Sequence, residues 1–455
     1  MIEALNTGCF CVSLDCEALR RAMDREPAAR GLSQLIEERC PHLFAALPVF
    51  VSRRYVDEMA KLVAAVEEVA ALPAYRKEVL SYAPQIARRD PGTGGVFNGY
   101  DFHLGAAGPK LIEINTNAGG ALLNAVLGRA QHACCDEVAS LVSGPIPPES
   151  LERSIFDMFM QEWRWAGRSG VPARIAIVDD APEEQFLYPE FVLFERLFRN
   201  FGVQAVVRAP DQLMFRDGQL RDADGPVHLV YNRLTDFALQ EEVHAAIRAA
   251  YVAEAAVVTP HPHAHALYAD KRNLVLLSDA TRLRALGVRG ETINVLERGV
   301  PRTRVVTAEL AEELWAERRK LFFKPAAGFG SKAAYRGDKL TRRVWNDILS
   351  GSYVAQDLVP PSERNIGPDA ALKVDVRNYV YAGQVQSLAA RLYQGQTTNL
   401  RTPGGGFAPV LTTSAVDSAR PDQEERECLC ATAAGEGEAA HWRDTSRSLR
   451  AITAG

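Results

Sequence analysis

Residues 111–121, LIEINTNAGGA, set a glutamate and an asparagine two apart and then run into a glycine pair. On a strand, residues two apart point to the same side, so Glu113 and Asn115 can offer oxygen donors to a single point. That is the ligand chemistry of a hard cation such as magnesium. Further along, FFKPAAGFGSK ends an apolar strand in Lys324 and follows it with Gly328, Gly330 and Ser331. Backbone amides in such a loop close over phosphate oxygens, because glycine lets the chain approach without a side chain in the way. Lys324 supplies positive charge at its base. The lysine precedes the glycines, which is not the P-loop order, and taken alone the stretch reads more simply as a glycine-rich hairpin with a solvated lysine.

The neighbouring motifs extend the pattern. Lys271 begins a helix upstream and is placed to reach a second phosphate. Downstream, YVAQDLVPP is an apolar strand that turns at Gln356, Asp357, Leu358 and Val359, suited to holding a flat purine by backbone hydrogen bonds. DVRNYVYAG and ARLYQGQTTNL then bring Arg377, Arg391 and Asn399, polar groups on alternating strands that can face a shared cleft.

The elements that must position these groups are partly legible. Residues 53–72 space apolar side chains by three and four and read as an amphipathic helix. PGTGG at 91–95 leads to two candidate strands, VFNGYDFHL and KLIEIN. RIAIVDD reads as a buried strand from Arg174, FVLFERLFRNFG as a helix ending at Gly202, and VQAVV as a second strand. That order is a βαβ unit, hence a parallel sheet covered by helices. VHLVYNRLTDF, 227–237, reads as a further strand with polar residues at its carboxyl end, where open α/β sheets bind ligands. Arg233 and Asp236 there, with Asn117 beyond the Glu-Asn pair, are the candidate substrate contacts; the plainer alternative for Arg233 is a surface ion pair. From about residue 265 the texture becomes strands separated by glycine-bearing turns, starting with YADKRNLVLLSD. His261, His263 and His265, interrupted by Pro262, read as a loop into the Lys271 segment. After about Ser414 the apolar periodicity fades, and the tail is expected to be mobile.

Bulk properties narrow the partners. A chain of 455 residues exceeds one compact core and predicts two or three domains. A net charge of -5 gives no general attraction to nucleic acid or to anionic membrane, so small molecules are the expected partners, with a homodimer left open. The first residues carry acidic groups and no uninterrupted apolar run, unlike a signal peptide. No segment reaches the roughly 18 apolar residues of a membrane span. A cytoplasmic protein with mostly reduced thiols is expected from its eight cysteines. Cys9, Cys11, Cys16 and Cys40 lack the paired C-x2-C spacing of a zinc site.

Two lysines, a glycine-rich loop, a hinge, a D-x-R strand and a T-N-L turn together resemble the ATP-grasp superfamily. In its members the T-N-L segment is followed by an aspartate and an E-x-N pair that bind magnesium. Here that pair stands near the amino terminus instead, as GYDFHLGAAGPKLIEINTNAGG. In this the sequence is similar to eukaryotic glutathione synthetases, which carry a nearly identical E-I-N-T, and to the synthetase domain of glutathionylspermidine synthases. The resemblance spans roughly residues 90–125 and 265–415, while 174–260 matches the family's substrate domain only in type. It implies an α/β protein with α+β elements: a circularly permuted ATP-grasp fold with a Rossmann-like parallel-sheet substrate domain. The implied division is an amino-terminal helical region with the permuted metal-binding strands (1–150), the substrate domain (151–264), the nucleotide-binding lobes (265–415) and the tail (416–455).

The resemblance further implies ATP and Mg2+ as cofactors. Asp101, Glu113 and Asn115 would hold the metal, Lys271 and Lys324 the α- and β-phosphates, and Arg377 or Arg391 the transferred group. Gly328, Gly330 and Ser331 would cover the phosphates, with Gln356, Asp357, Leu358 and Asn399 around the nucleotide. The implied reaction is ADP-forming: a small carboxylate becomes an acyl phosphate and a small amine displaces phosphate. A kinase on the same fold and a non-catalytic nucleotide-binding protein are the alternatives. Two departures keep glutathione and spermidine from being inherited as substrates. Glutathione synthetases place a metal-binding glutamate where this chain has Gly328, leaving Asp101 as the third ligand. Glutathionylspermidine synthases have an arginine where this chain has Gly99.

Overall fold

The computed structural model describes residues 2–24, 31–133, 139, 142–144, 150–328, 333–367 and 370–413. Gly330, Ser331 and the 416–455 tail lie outside them. Its longest strands form where β-branched and aromatic residues alternate with polar ones. Ala370–Tyr381 and Gln384–Tyr393 pair antiparallel across a turn in which Ala382 and Gly383 both have positive φ. Alternation then gives the pair two different faces. On one face, Val374, Val376, Val380, Ala390 and Leu392 form a single apolar cluster with Tyr100, Phe102, Leu111 and Ile114 and with the helix Arg53–Ala70. That helix begins where Ser52 accepts a hydrogen bond from the Tyr55 amide, and it buries Met59, Leu62, Val63, Val66 and Val69. Each such aliphatic contributes about 1.5–3 kcal/mol by leaving water. The other face carries Asp375, Arg377 and Arg391.

This sheet has eight strands. Its main path runs Val49–Phe50, Gly406–Thr413, Gln384–Tyr393, Ala370–Tyr381, Asn98–Gly105 and Gly108–Asn115. The hairpin of residues 98–115 is therefore hydrogen-bonded directly onto a strand near the carboxyl end. Asp101 lies opposite Arg377 on one side and opposite Glu113 on the other. Directly opposite residues share a face, so Arg377, Asp101 and Glu113 form one row, and Asp375 opposite Arg391 forms the next.

A second, four-stranded antiparallel sheet contains Thr303–Val305, Tyr353–Asp357, Leu321–Pro325 and Tyr335–Arg336 in that order. It has its own core of Leu314, Leu321, Phe323, Trp345, Ile348 and Ala355. A third sheet is wholly parallel, in the order Val257–Thr259, Leu229–Asn232, Arg174–Val178, Gln204–Arg208, with the helix Tyr188–Asn200 as the crossover.

Three stretches depart from the sequence expectation. The strand placed at 227–237 is only Leu229–Asn232, because the Asn232 side chain accepts from the Leu234 amide at 3.1 Å and turns the chain. PHPHAHA is a helix, Pro262–Tyr268, rather than a loop: Pro262 opens it and the His261 ring accepts from the Ala264 amide at 3.1 Å. YADKRNLVLLSD is likewise not a strand; it holds the helix Arg272–Leu277, with Lys271 at its N-cap, in line with the expectation that this lysine begins a helix. A short apolar run does not distinguish the two. Among the described residues, no helix is long and apolar enough to cross a membrane.

Candidate active site

Between the polar face of the large sheet and the four-stranded sheet lies a cavity of about 300 Å³. Asp101, Glu113, Asn115, Asp375 and Arg391 line it from the large sheet; Phe322, Lys324 and Gln356 line it from the small one. Lys271, Gly328, Asp357 and Leu358 also contribute to its wall.

Lys324 is buried, and its Nζ donates to the Ile112 carbonyl at 2.8 Å and to Gln356 Oε1 at 2.9 Å. Two of its three N–H groups are thereby fixed, leaving one for a ligand. Burial pulls its pKa down to about 8, opposed by the nearby Glu113 carboxylate. Lys271 Nζ donates to the Gly328 carbonyl at 2.7 Å, so the second lysine is tied to the start of the glycine-rich loop. Burial would raise the Glu113 pKa, but Lys271 and Lys324 outweigh it and hold the carboxyl below its ordinary range.

Asn115 Nδ2 donates to Asp101 Oδ2 at 3.1 Å and to Glu113 Oε1 at 3.2 Å. The amide thus occupies a point faced by two carboxylate oxygens, the kind of place a hard cation prefers. Asp101 is also held by Arg377 and Arg391. Burial disfavours its charge, yet these two guanidiniums keep its pKa at about 2. Among the described residues, no three His, Cys, Asp or Glu side chains converge on one point; the groups that meet here are two carboxylates and one amide.

Other candidates are placed differently. Arg377 is buried beside Asp101 and does not reach the cavity wall. The amides of Asp357 and Leu358 already donate to Arg302 and Lys320 carbonyls, both at 2.8 Å, and the Gln356 side chain bridges Lys324 and Thr303. Asn399 closes a turn by accepting from the Arg401 amide at 2.9 Å, while its neighbour Thr398 lines the cavity. Asn117 and Arg233 meet: Arg233 Nη1 donates to the Asn117 carbonyl at 2.7 Å. Asp236 turns away to His244, whose other ring nitrogen faces Asp180, at 2.8 and 2.9 Å. Asn117, Arg233 and Asp236 are all outside the cavity wall. The glycine pair has a steric reason. A Cβ on Gly120 would come within 2.3 Å of the Phe407 ring at a φ of +102°, and one on Gly119 within 2.5 Å of Leu187.

Against solved structures, the chain is similar to a glutathione synthetase-like effector from Globodera pallida. The two share 12% identity over 81% of this chain and 89% of that one, at a TM-score of 0.50. The fold is ATP-grasp-like. Looser likenesses are to a putative gamma-glutamylcysteine synthetase from Methylobacillus flagellatus KT (12% identity, 85% and 96% covered, TM-score 0.47) and to the ATP-grasp ligase PsnB complexed with a minimal precursor, Mg and ADP (14% identity, 56% and 97% covered, TM-score 0.27). No family model and no curated protein matches the sequence.

Within this ATP-grasp-like fold, the cavity wall includes residues that the sequence reading did not single out as site residues, among them His103, and Asp375 and Thr398 inside the D-x-R strand and the T-N-L turn. Asp375 stands two before Arg377, and the strand period was enough to put both on one face. Thr398 donates its hydroxyl to Asp375. His103, two after Asp101, lines the cavity and has Nδ1 2.7 Å from the Val359 carbonyl; its partner lies too far along the chain for any local signal.

Proposed function

We propose that this chain is an ATP-dependent ligase that joins a small carboxylate to an amine, releasing ADP and phosphate. The observation that carries this reading is the convergence of Lys271, Lys324 and Arg391 with Glu113 and Asn115 around one cavity. Phosphoryl transfer asks a protein mainly to neutralise charge and to align attacking and leaving oxygens. Cations already fixed by carbonyls and carboxylates do both without reorganising. The order of the segments, with the Glu-Asn hairpin ahead of the lysines, is read as a circular permutation of the ATP-grasp module.

In this reading Lys271 and Lys324 bind the phosphates and Arg391 faces the group in transfer. Magnesium, held at Glu113 and Asn115, would supply further neutralisation of the phosphates. A carboxylate oxygen attacks the γ-phosphorus and the bond to the ADP oxygen breaks. The amine nitrogen then attacks the acyl carbon, phosphate leaves, and the amine gives up a proton. Asn117, Arg233 and Asp236, outside the cavity wall, are assigned to the substrate side in this reading.

Screening amino acids and small peptides for ADP release identifies the carboxylate. With it present, hydroxylamine should replace the amine and yield a hydroxamate together with ADP and phosphate. AMP and pyrophosphate would indicate adenylation, and a phosphate ester stable to hydroxylamine would indicate a kinase; either result overturns the ligase reading.

A further inference from the structure

We propose that only one of the two candidate arginines, Arg391, touches the anionic ligand, and that Asp101 and Arg377 are positioning residues that aim it. The proposal rests on the nucleotide reading above. Arg391 lines the cavity and Arg377 does not. Arg377 grips Asp101 with a two-pronged fork, Nε to Oδ1 at 2.6 Å and Nη2 to Oδ2 at 2.7 Å. Arg391 Nη2 reaches the same Oδ2 at 2.9 Å, and its Nε donates to Asp375 Oδ1 at 2.5 Å. The Thr398 hydroxyl donates to the other oxygen of Asp375. A chain of alternating charge therefore runs Arg377, Asp101, Arg391, Asp375, Thr398 along one face of the sheet.

Two of the three Arg391 nitrogens are fixed by this chain, Nε on Asp375 and Nη2 on Asp101, while the side chain lines the cavity. A guanidinium held from two sides has lost its rotamer freedom before a ligand arrives, so binding does not have to order it. Arg377 is lodged in the space left by Gly99, where an added Cβ would lie 3.1 Å from Arg377 Nε and 2.5 Å from Ala118 Cβ. Asp101 accepts from Arg377 at Oδ1 and from Arg377 and Asn115 at Oδ2, where Arg391 also reaches it, so Asp101 is assigned to the arginines rather than to a metal. The cation cradle is then Glu113 and Asn115.

The test is calorimetric titration of the full-length protein with magnesium and AMPPNP, and with Mn2+ followed by electron paramagnetic resonance. Arg391→Met should weaken AMPPNP binding about 10- to 100-fold, the loss of a charge-assisted hydrogen bond. Arg377→Met should weaken it no more than about 5-fold, and nothing further in an Asp101→Asn background, where the link is already broken. Arg377→Lys, which still neutralises Asp101, should restore most of the affinity, and it carries the comparison if Arg377→Met does not fold. Asp101→Asn should keep Mn2+ affinity within about 3-fold, whereas Glu113→Gln should lose about 10-fold or more. Equal losses for the two arginines that persist in the Asp101→Asn background would overturn the proposal, as would Mn2+ losses that match in Asp101→Asn and Glu113→Gln. Absence of AMPPNP binding to the wild-type protein would instead bring down the ligase reading, and this inference with it.

Discussion

Lys324 couples the site to pH. Its pKa of about 8 means that the ammonium, which a polyphosphate needs, is fully formed only below that value. ADP affinity should hold up to about pH 7 and then fall up to about tenfold per unit above pH 8, with proton uptake on binding at pH 8. Folding responds with the opposite sign. A depressed lysine pKa means that the unfolded chain holds the proton more tightly, so this group's contribution to stability rises as pH climbs from about 8 toward the ordinary lysine value. Titrations at pH 7 and 9, in buffers of different ionisation heat, check the first claim. Equal affinities and no proton uptake would exclude Lys324 as the phosphate cation. Glu113 opposes the depression, so Glu113→Gln should move the midpoint lower.

At the scale of elements, one buried side chain fastens the amino-terminal helix to the strand after the hinge. Arg364, on Ser362–Gly367, is fully buried and donates to the carbonyls of Asn6 at 2.7 Å, Cys9 at 2.5 Å and Pro48 at 2.9 Å. Asn6 lies in the helix Ile2–Gly8 and Cys9 follows it, so the cation meets the negative end of the helix dipole. Arg364→Met leaves these carbonyls without donors, each costing about 1–3 kcal/mol. A loss of at least about 3 kcal/mol is expected by denaturant unfolding, with faster amide exchange across residues 2–14. Unchanged exchange there would show that the helix is held by its apolar side alone.

At the scale of the molecule, few polar links among the described residues join the two sheets that enclose the cavity. Lys324 Nζ to the Ile112 carbonyl crosses from the small sheet to the large, and His103 to the Val359 carbonyl crosses back at the hinge. A nucleotide binding between them should act on both sheets at once. At a hundredfold excess over Kd, MgADP should stabilise the protein by about 2.7 kcal/mol. Hydrogen exchange should slow in both 98–115 and 321–359. Protection confined to one sheet would place the ligand outside the cavity.

The sequence by itself determined which side chains share a strand face, since the two-residue period is a property of the local backbone. Glu113 with Asn115, and Asp375 with Arg377, follow from that period, as the βαβ order of 174–208 follows from local apolar runs and a terminal glycine. The resemblance implied that the 98–115 hairpin joins the nucleotide-binding module, but only the tertiary structure decided that it pairs with Ala370–Tyr381, bringing together Asp101 and Arg377 across 276 residues of chain. Pairing between remote strands is set by what the whole sheet buries, and it leaves no mark at either end. For the same reason the sequence could not show that Asp101 is engaged by two arginines, that the Asp357 and Leu358 amides are already bonded, or that Thr398 rather than Asn399 lines the cavity. A buried polar group is defined by its partners, and here register and strand order supply them.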